Sequence, residues 1–590
     1  MNDSPPTPAG QLPRGLVAWI HALAAGDWRA SSLLIVVLTG FYLATAAGNL
    51  SETDDVYAFA YRAEHFALDH LSDPRLMLYH VAMRLLFLGA STLTPDVSAL
   101  QLMRSVSALA AAASLLLVVR IVVADLKLSA TTALLAAAVL GSCYGFWRYA
   151  AEAEVYVPAI FLILLVFHGL SSGPGSVDAV HREARLPAAA AAAMWGGLAG
   201  VTVLFYQPSV IPLFCAFPLL LLSRTKILPL GCYLAVGAAV ALSGYVIGFL
   251  AYWPQPLGVA AFNNFLSQRA EEFIVPPLSL RTVVVSVIRA AFALGHDIAS
   301  ANWIFAFEPV VGLIQRAFSN NVITEEVFLA KRAGFLAYLP LLSLLLLAIL
   351  SLRILVSIWP LPKRLLRQRW FLVILLWTAA NGIIVGRLNP AGTEAWIMLL
   401  PPLVLAVAAC VIEPFLSNGR GRLIGALAAV LFLHNAIGGM ALVADPENEY
   451  DRVKGAWIAA EAGPQDLVIV TENAGLAEAL RYLSSANVAL IATREAPAVA
   501  DNLVRGDMNR LFTLTRGRDF NNRLLRNLIK ESWRQGGRVI VFDDFFELPT
   551  QLRYESSPAF AALSELREKA VRVYDAEDVG ATYLLTAPPG

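Results

Sequence analysis

The stretch Glu52–Arg84, ETDDVYAFAYRAEHFALDHLSDPRLMLYHVAMR, follows directly on an apolar run and sets three carboxylates, Glu52, Asp54 and Asp55, within four positions. A charge beside hydrocarbon is costly unless it meets water or a partner, so such a cluster is either a solvated turn ending a span or a working site. One acid alone would favour the turn; three together favour the site. Tyr57, Phe59, Tyr61 and Phe66 then fall among Arg62, Glu64 and His65, which suits a helix lying in the membrane interface. Asp73-Pro74-Arg75 and Tyr79-His80 return polar groups to the same place.

Outward from this stretch the chain is apolar. Its 590 residues are 58% hydrophobic and 15% charged, with a mean hydropathy of +0.63. That composition belongs to a multi-pass integral membrane protein. Apolar runs long enough to cross about 30 Å of hydrocarbon lie near 31–49, 98–124, 129–146, 155–171, 188–205, 207–223, 230–252, 334–358, 370–386, 394–414 and 422–443, about eleven spans in all. Between Thr282 and Leu294 and between Trp303 and Ile314 the apolar runs are short, and read either as in-plane helices or as two further spans.

Arg120 with Lys127, His181-Arg182 with Arg185, Arg224 with Lys226, the cluster Lys363, Arg364, Arg367 and Arg369, and Arg420 with Arg422 fall on one side of these spans. The positive-inside rule makes that side the cytoplasm. Residues 1–30 then form a cytoplasmic segment, in which no removable signal peptide is read. A transmembrane domain follows over 31–444, with a first outward loop at 50–97 and an outward segment at 253–333. Of the 88 Asp, Glu, Lys and Arg residues, 39 lie from Asp445 onward, so 445–590 is a separate soluble domain, placed on the outer, periplasmic side of a bacterial inner membrane.

This tail alternates strand-like and helix-like runs: strands at Asp466–Thr471, Val488–Ala492, Arg538–Phe542 and Thr582–Leu585, helices at Ala474–Leu483, Asn521–Trp533 and Pro558–Val571. The alternation predicts an α/β domain, and the tail shows no Gly-rich phosphate loop. A formal net charge of zero offers no basic surface for nucleic acid. All four cysteines sit in apolar stretches, against disulfides and thiolate metal sites. No histidines or cysteines show metal-ligand spacing; a divalent cation held by the oxygens of Glu52, Asp54 and Asp55 is the one metal option.

Three further outward turns carry polar residues. In Trp147-Arg148-Tyr149 with Glu152, Glu154 and Tyr156, the spacing of Arg148 and Glu152 allows an internal ion pair as readily as a ligand contact. Tyr206-Gln207-Pro208 reads as a turn. Arg387-Leu388-Asn389-Pro390 leads to Thr393, Glu394 and Trp396, where the arginine is either a snorkelling anchor or a phosphate contact. Arginine and carboxylate offered together by several turns favour a shared polar cavity.

These motifs resemble those of the GT-C superfamily of glycosyltransferases, which use polyprenyl-phosphate-linked sugars, and in particular its protein O-mannosyltransferase-like branch. The acids before Val56-Tyr57 are similar to that branch's first-loop acids. Asp73-Pro74 with Leu78-Tyr79 is similar to its His-Pro and Leu-Tyr, with Asp73 in place of the histidine. FWRYAAEAEVY, Phe146 to Tyr156, looks like its aromatic, Glu-Val-Tyr signature, and Glu394-Ala395-Trp396 leading to Leu400-Pro401-Pro402 looks like its late turn.

The resemblance implies a polytopic α-helical enzyme moving a sugar from a polyprenyl-phosphate-linked donor to a hydroxyl on a protein, lipid or glycan. Glu52, Asp54 or Asp55 would be the base, with Asp54 or Asp55 favoured and Glu52 in support. Arg148, Arg387 or Arg75 would meet the phosphate. Tyr57, Asp73, Tyr79, His80, Glu152, Glu154, Tyr156 and Glu394 would complete the donor and acceptor site. The tail would govern acceptor access. A lipid-linked-glycan flippase is the rival reading, but transporters carry ionisable groups within broken spans near the midplane, whereas here the acids crowd one face. A membrane scaffold would explain the tail and not the acidic loop.

Overall fold

The computed structural model of the chain describes residues 14–50, 55–68, 71, 73–171, 188–221, 227–253, 256–267, 279–318, 324–357, 369–471, 473–492, 511–515, 522–546, 567, 570–576 and 579–586. Its architecture is mostly helical, with a small sheet near the C-terminus.

Among the described residues, six helices are long and apolar enough to cross a membrane: Ala99–Asp125, Ala188–Phe205, Ile227–Tyr252, Arg369–Leu388, Thr393–Ser417 and Gly421–Val443. Two bent pairs raise this to as many as eight. Val17–Ala25 meets Trp28–Ala44 at 104°, a bend placed where Asp27 caps the second helix through the Arg29 and Ala30 amides. Glu325–Tyr338 meets Pro340–Arg353 at 69°, where Pro340 lacks the N–H that would continue the helix. Eleven spans were expected, and three of the expected runs form shorter apolar helices, Ala130–Ser142, Tyr156–Ser171 and Gln207–Leu221. The last consists of three short pieces, Gln207–Ser209, Val210–Phe214 and Phe217–Leu221, each containing a proline.

Lipid gives little hydrophobic drive to pack helix on helix, so close backbone approach does that work. Helices Ala188–Phe205 and Ile227–Tyr252 meet this way: a side chain at Gly196 or Gly200 would strike the carbonyls of Tyr233 and Gly237. Among the described residues of 253–333, no helix by itself is both long and apolar enough to cross a membrane. Leu280–Ile298 is long enough but carries Arg281, Arg289, His296 and Asp297.

In the charge-rich tail the strands β1 (Leu467–Thr471), β2 (Asn487–Ala492), β3 (Leu511–Thr515), β4 (Val539–Phe542), β5 (Ala570–Ala576) and β6 (Gly580–Leu585) form one sheet in the order β3-β2-β1-β4-β6-β5. The first four are parallel, with Val468 opposite both Val488 and Ile540; β6 is antiparallel to β4 and to β5. Val468, Val470 and Ile540 face one core with Leu476 and Leu480, while Leu467, Ile469 and Val541 face another with Ile529. Burial on both faces is what parallel strands require. Helix Ala474–Leu483 begins at the expected residue because Asn473 caps it through the Leu476 amide. Strand β3 was not expected. Of the helix expected at 558–571, residues 558–566 lie outside the described residues, and Ala570 and Val571 belong to β5.

Candidate functional site

The first loop enters the structure at Asp55, the first residue of helix Asp55–His65, where a negative charge meets the positive end of the helix dipole. This helix does not lie on the bilayer. Val56 to Tyr61 and Ala63 are all buried, packed on Met77–Leu93, on Ala99–Arg120 and on Ala474–Leu483 of the tail. Its aromatic residues therefore face protein: Phe59 stacks edge-on with Tyr79 and His80, and Arg481 of the tail lies 4.3 Å over the Tyr61 ring.

Beside the N-terminus of this helix is a cavity of about 410 Å3. Asp55, Arg75, Glu154, Tyr156 and Glu394 line it, as do Tyr206, Gln207 and Asn389. The first loop and all three polar turns thus reach one space, including the turn at Tyr206-Gln207-Pro208 that offers no chemical signal in the sequence. The Gln207 amide donates to the Arg75 carbonyl at 2.9 Å, tying that turn to the first loop. Asn389 donates to Glu394 at 3.2 Å, and its own carbonyl accepts from the Gly392 amide at 3.0 Å, which fixes the late turn. Tyr156 meets Tyr149 and Tyr206 edge-on. Apolar side chains line the cavity too, those of Ile211, Leu266, Ile384, Val385, Leu388 and Met398, together with the amide of Asn381.

Glu154 is 4% exposed and its carboxyl titrates well above the usual 4.5. Burial is the largest cause, and the nearby carboxylates of Asp55, Glu394 and Glu152 push in the same direction, opposed only by a bond from the Val155 backbone. Burial and like charge both favour its protonated form.

Several expected site residues stand elsewhere. Arg148 and Glu152 are paired at 2.5 Å with both side chains fully buried, and Arg104 adds a second cation to Glu152 at 3.4 Å. The internal ion pair that the spacing allowed is the one formed. Tyr57 donates to Glu449 of the tail at 2.9 Å. His80 lies 3.3 Å from Arg62, and Asp73 accepts from the Arg75 backbone at 3.0 Å. Tyr79 is packed against Phe59 and Phe205, and Arg387 is half-buried at the end of its helix. None of these seven lines the cavity. Glu52 and Asp54 lie outside the described residues, and with them the option of a cation on the three acids. Among the described residues no group of three His, Cys, Asp or Glu side chains is placed to hold a metal ion.

No family model matches the chain, and no curated protein does. Among solved structures, it is similar to ArnT from Cupriavidus metallidurans in the apo state, at 13% identity and a TM-score of 0.48, over 96% of this chain and 100% of that one. It is similar as well to the same protein bound to undecaprenyl phosphate, at 12% identity and a TM-score of 0.47, over 97% and 98%. At these values the likeness assigns nothing to this chain.

The lining residues that sequence reading missed are chiefly the apolar ones. Leu266, Ile384, Leu388 and Met398 carry no local mark, because an apolar side chain on a span looks the same whether it faces lipid or a cavity. Asn381 is the exception: an amide inside an otherwise apolar run, 3% exposed, is a signal that hydropathy averaging hides.

Proposed function

We propose that the protein is a GT-C-type membrane glycosyltransferase that moves a sugar from a polyprenyl-phosphate-linked donor to an acceptor hydroxyl, with Asp55 as general base. The observation that carries this reading is the single cavity in which Asp55, Glu154 and Arg75 meet an apolar wall. A lipid-linked sugar phosphate has the matching parts: a prenyl chain for the wall, a phosphate for the arginine, and a sugar between them.

In the reaction the acceptor O–H attacks the anomeric carbon, Asp55 takes its proton, and the carbon–oxygen bond to phosphate breaks. The lipid phosphate leaves as an anion, so no acid is required, and Arg75 meets the charge. Glu154 lines the same cavity, and in the protonated form that its burial and the nearby carboxylates favour it can donate a hydrogen bond to the phosphate or to the sugar. The donor is of the class the superfamily uses, and the likeness to the O-mannosyltransferase-like branch is one of motifs alone. The positive-inside pattern supports placing this site and the tail in the periplasm, where a donor already carried across the membrane would be met.

The test is turnover of the purified protein with undecaprenyl-phosphate-linked pentoses, hexoses and aminosugars, read as release of undecaprenyl phosphate in the presence of bacterial membrane acceptors. Release with at least one donor is expected, and its loss in Asp55→Asn. Movement of intact donor across sealed vesicles without release would instead make the protein a flippase.

A further inference from the structure

We propose that Glu449, at the junction between the last span and the tail, is a positioning residue for Asp55, and that through it the tail holds the base-bearing loop at both ends. The inference rests on the assignment of Asp55 above and adds to it what keeps Asp55 in place.

Glu449 is 1% exposed. One oxygen accepts from the Leu50 backbone amide at 3.2 Å, and the other accepts from the Tyr57 hydroxyl at 2.9 Å. Leu50 precedes the acidic segment and Tyr57 follows Asp55 within the first turn of its helix. A single carboxylate therefore closes both ends of the segment that carries the acids. Both donors belong to buried residues, which makes the clamp costly to undo.

The same junction grips the chain just before. The Val443 carbonyl accepts from the amides of Gly48 and Asn49 at 2.8 and 2.9 Å, and the Asn448 carbonyl accepts from the Asn49 side chain at 2.7 Å. The approach is close enough that a Cβ at Gly48 would strike the Ala444 carbonyl. The far end of the loop helix is held by the tail as well. There Glu64 accepts from the Ala99 amide at 2.8 Å and from the Tyr482 hydroxyl at 2.9 Å. The tail thus braces the helix that begins with Asp55, while the cavity lining runs from Asp55 to Met398 without it.

The test uses the full-length protein in detergent and reads two quantities, amide hydrogen exchange at Leu50 and over 55–57, and the split of donor turnover into kcat and KM. Glu449→Ala should speed exchange of these amides at least about five-fold, the worth of one lost hydrogen bond. It should lower kcat by about 10²-fold, the cost of a base displaced by an ångström, with the KM for donor unchanged. Glu449→Gln keeps one acceptor oxygen and should recover part of both. Glu447→Ala, an exposed neighbour, should change neither. Should Glu449→Ala fail to fold, Tyr57→Phe removes one hydroxyl only and carries the same expectation at smaller size. Exchange and kcat within two-fold of wild type in whichever of Glu449→Ala and Tyr57→Phe folds would overturn the inference. Asp55→Asn in the same assay separates the two claims. Normal turnover there removes the base assignment, whereas a dead Asp55→Asn beside a fully active Glu449→Ala removes the positioning role alone.

Discussion

Glu152 and Glu154 stand two residues apart in one turn, both almost wholly buried, and the protein treats them in opposite ways. Glu152 sits against Arg148 and Arg104, and Arg148 reaches on to the Asn49 carbonyl at 2.5 Å, so the charge is neutralised and the groups brace the root of the first loop. Glu154 turns into the cavity, where the charges that bear on it are other carboxylates. Matched charge in a buried place holds structure; a carboxyl set among like charges at a cavity has its titration shifted upward and is available for chemistry. The difference separates two regions that share residue types, and each can be broken without the other.

The largest effect is expected from the cavity side. Asp55→Asn keeps size and shape but cannot take a proton, so turnover should fall by about 10²–10⁴-fold while undecaprenyl phosphate binding and thermal unfolding stay as in wild type. Wild-type turnover would remove the base from Asp55. The braced region should answer in the other currency. Arg148→Ala takes from the buried Glu152 its cation at 2.5 Å, with Arg104 farther off at 3.4 Å, and breaking such a pair costs about 3–5 kcal/mol. The variant should be recovered folded in much smaller amounts, and unfold at a markedly lower temperature. If instead it folded normally and lost only donor binding, Arg148 would be a ligand contact after all.

How much of this contrast can be seen in the sequence depends on the kind of residue. The span expected at 98–124 is found at Ala99–Asp125, because a long apolar run has one reading. The run 207–223 has three prolines, and it consists of three short pieces with one in each. The acids and Arg75 stand out as charges beside apolar chain, and the structure brings Asp55, Glu154 and Glu394 to one cavity. Arg148 and Glu152 stand out just as much and lie inside a brace. Spacing shows that they can pair, but only packing decides that they do. Helix Asp55–His65 looks like an interfacial helix because its apolar face must be covered by something, and nothing local reveals that the cover is a tail helix more than 400 residues later. Strand β3, five residues of Leu-Phe-Thr-Leu-Thr between Arg510 and Arg516, is too short to announce itself.

A smaller effect is expected at the phosphate end. Arg75→Ala should weaken binding of undecaprenyl phosphate by about 10- to 100-fold, the worth of a charge-assisted hydrogen bond. Binding of the neutral dephosphorylated polyprenol should be unaffected. Equal weakening for both lipids would show that Arg75 shapes the cavity rather than meeting the phosphate.

The smallest and most discriminating change is Glu154→Gln, which replaces a buried acid by an amide of the same shape. The folded carboxyl titrates well above 4.5, so below that value folded and unfolded chains are both protonated and the group imposes no penalty. As pH rises through 4.5 the unfolded chain loses its proton while the folded one keeps it. Stability therefore falls until the raised folded value is passed, and is constant beyond it. Glutamine has no proton to lose, so Glu154→Gln should match wild type at pH 4 and unfold about 1–2 °C higher at pH 8, a modest shift for a chain of this size. Turnover at pH 7 should stay within about five-fold of wild type, because the amide still offers an N–H where the protonated acid offers an O–H. A loss as deep as that of Asp55→Asn would move the base to Glu154. An unfolding temperature no higher than wild type at pH 8 would show that the carboxyl titrates in the fold as it does in the unfolded chain, and the contrast with Glu152 would then lie in geometry alone.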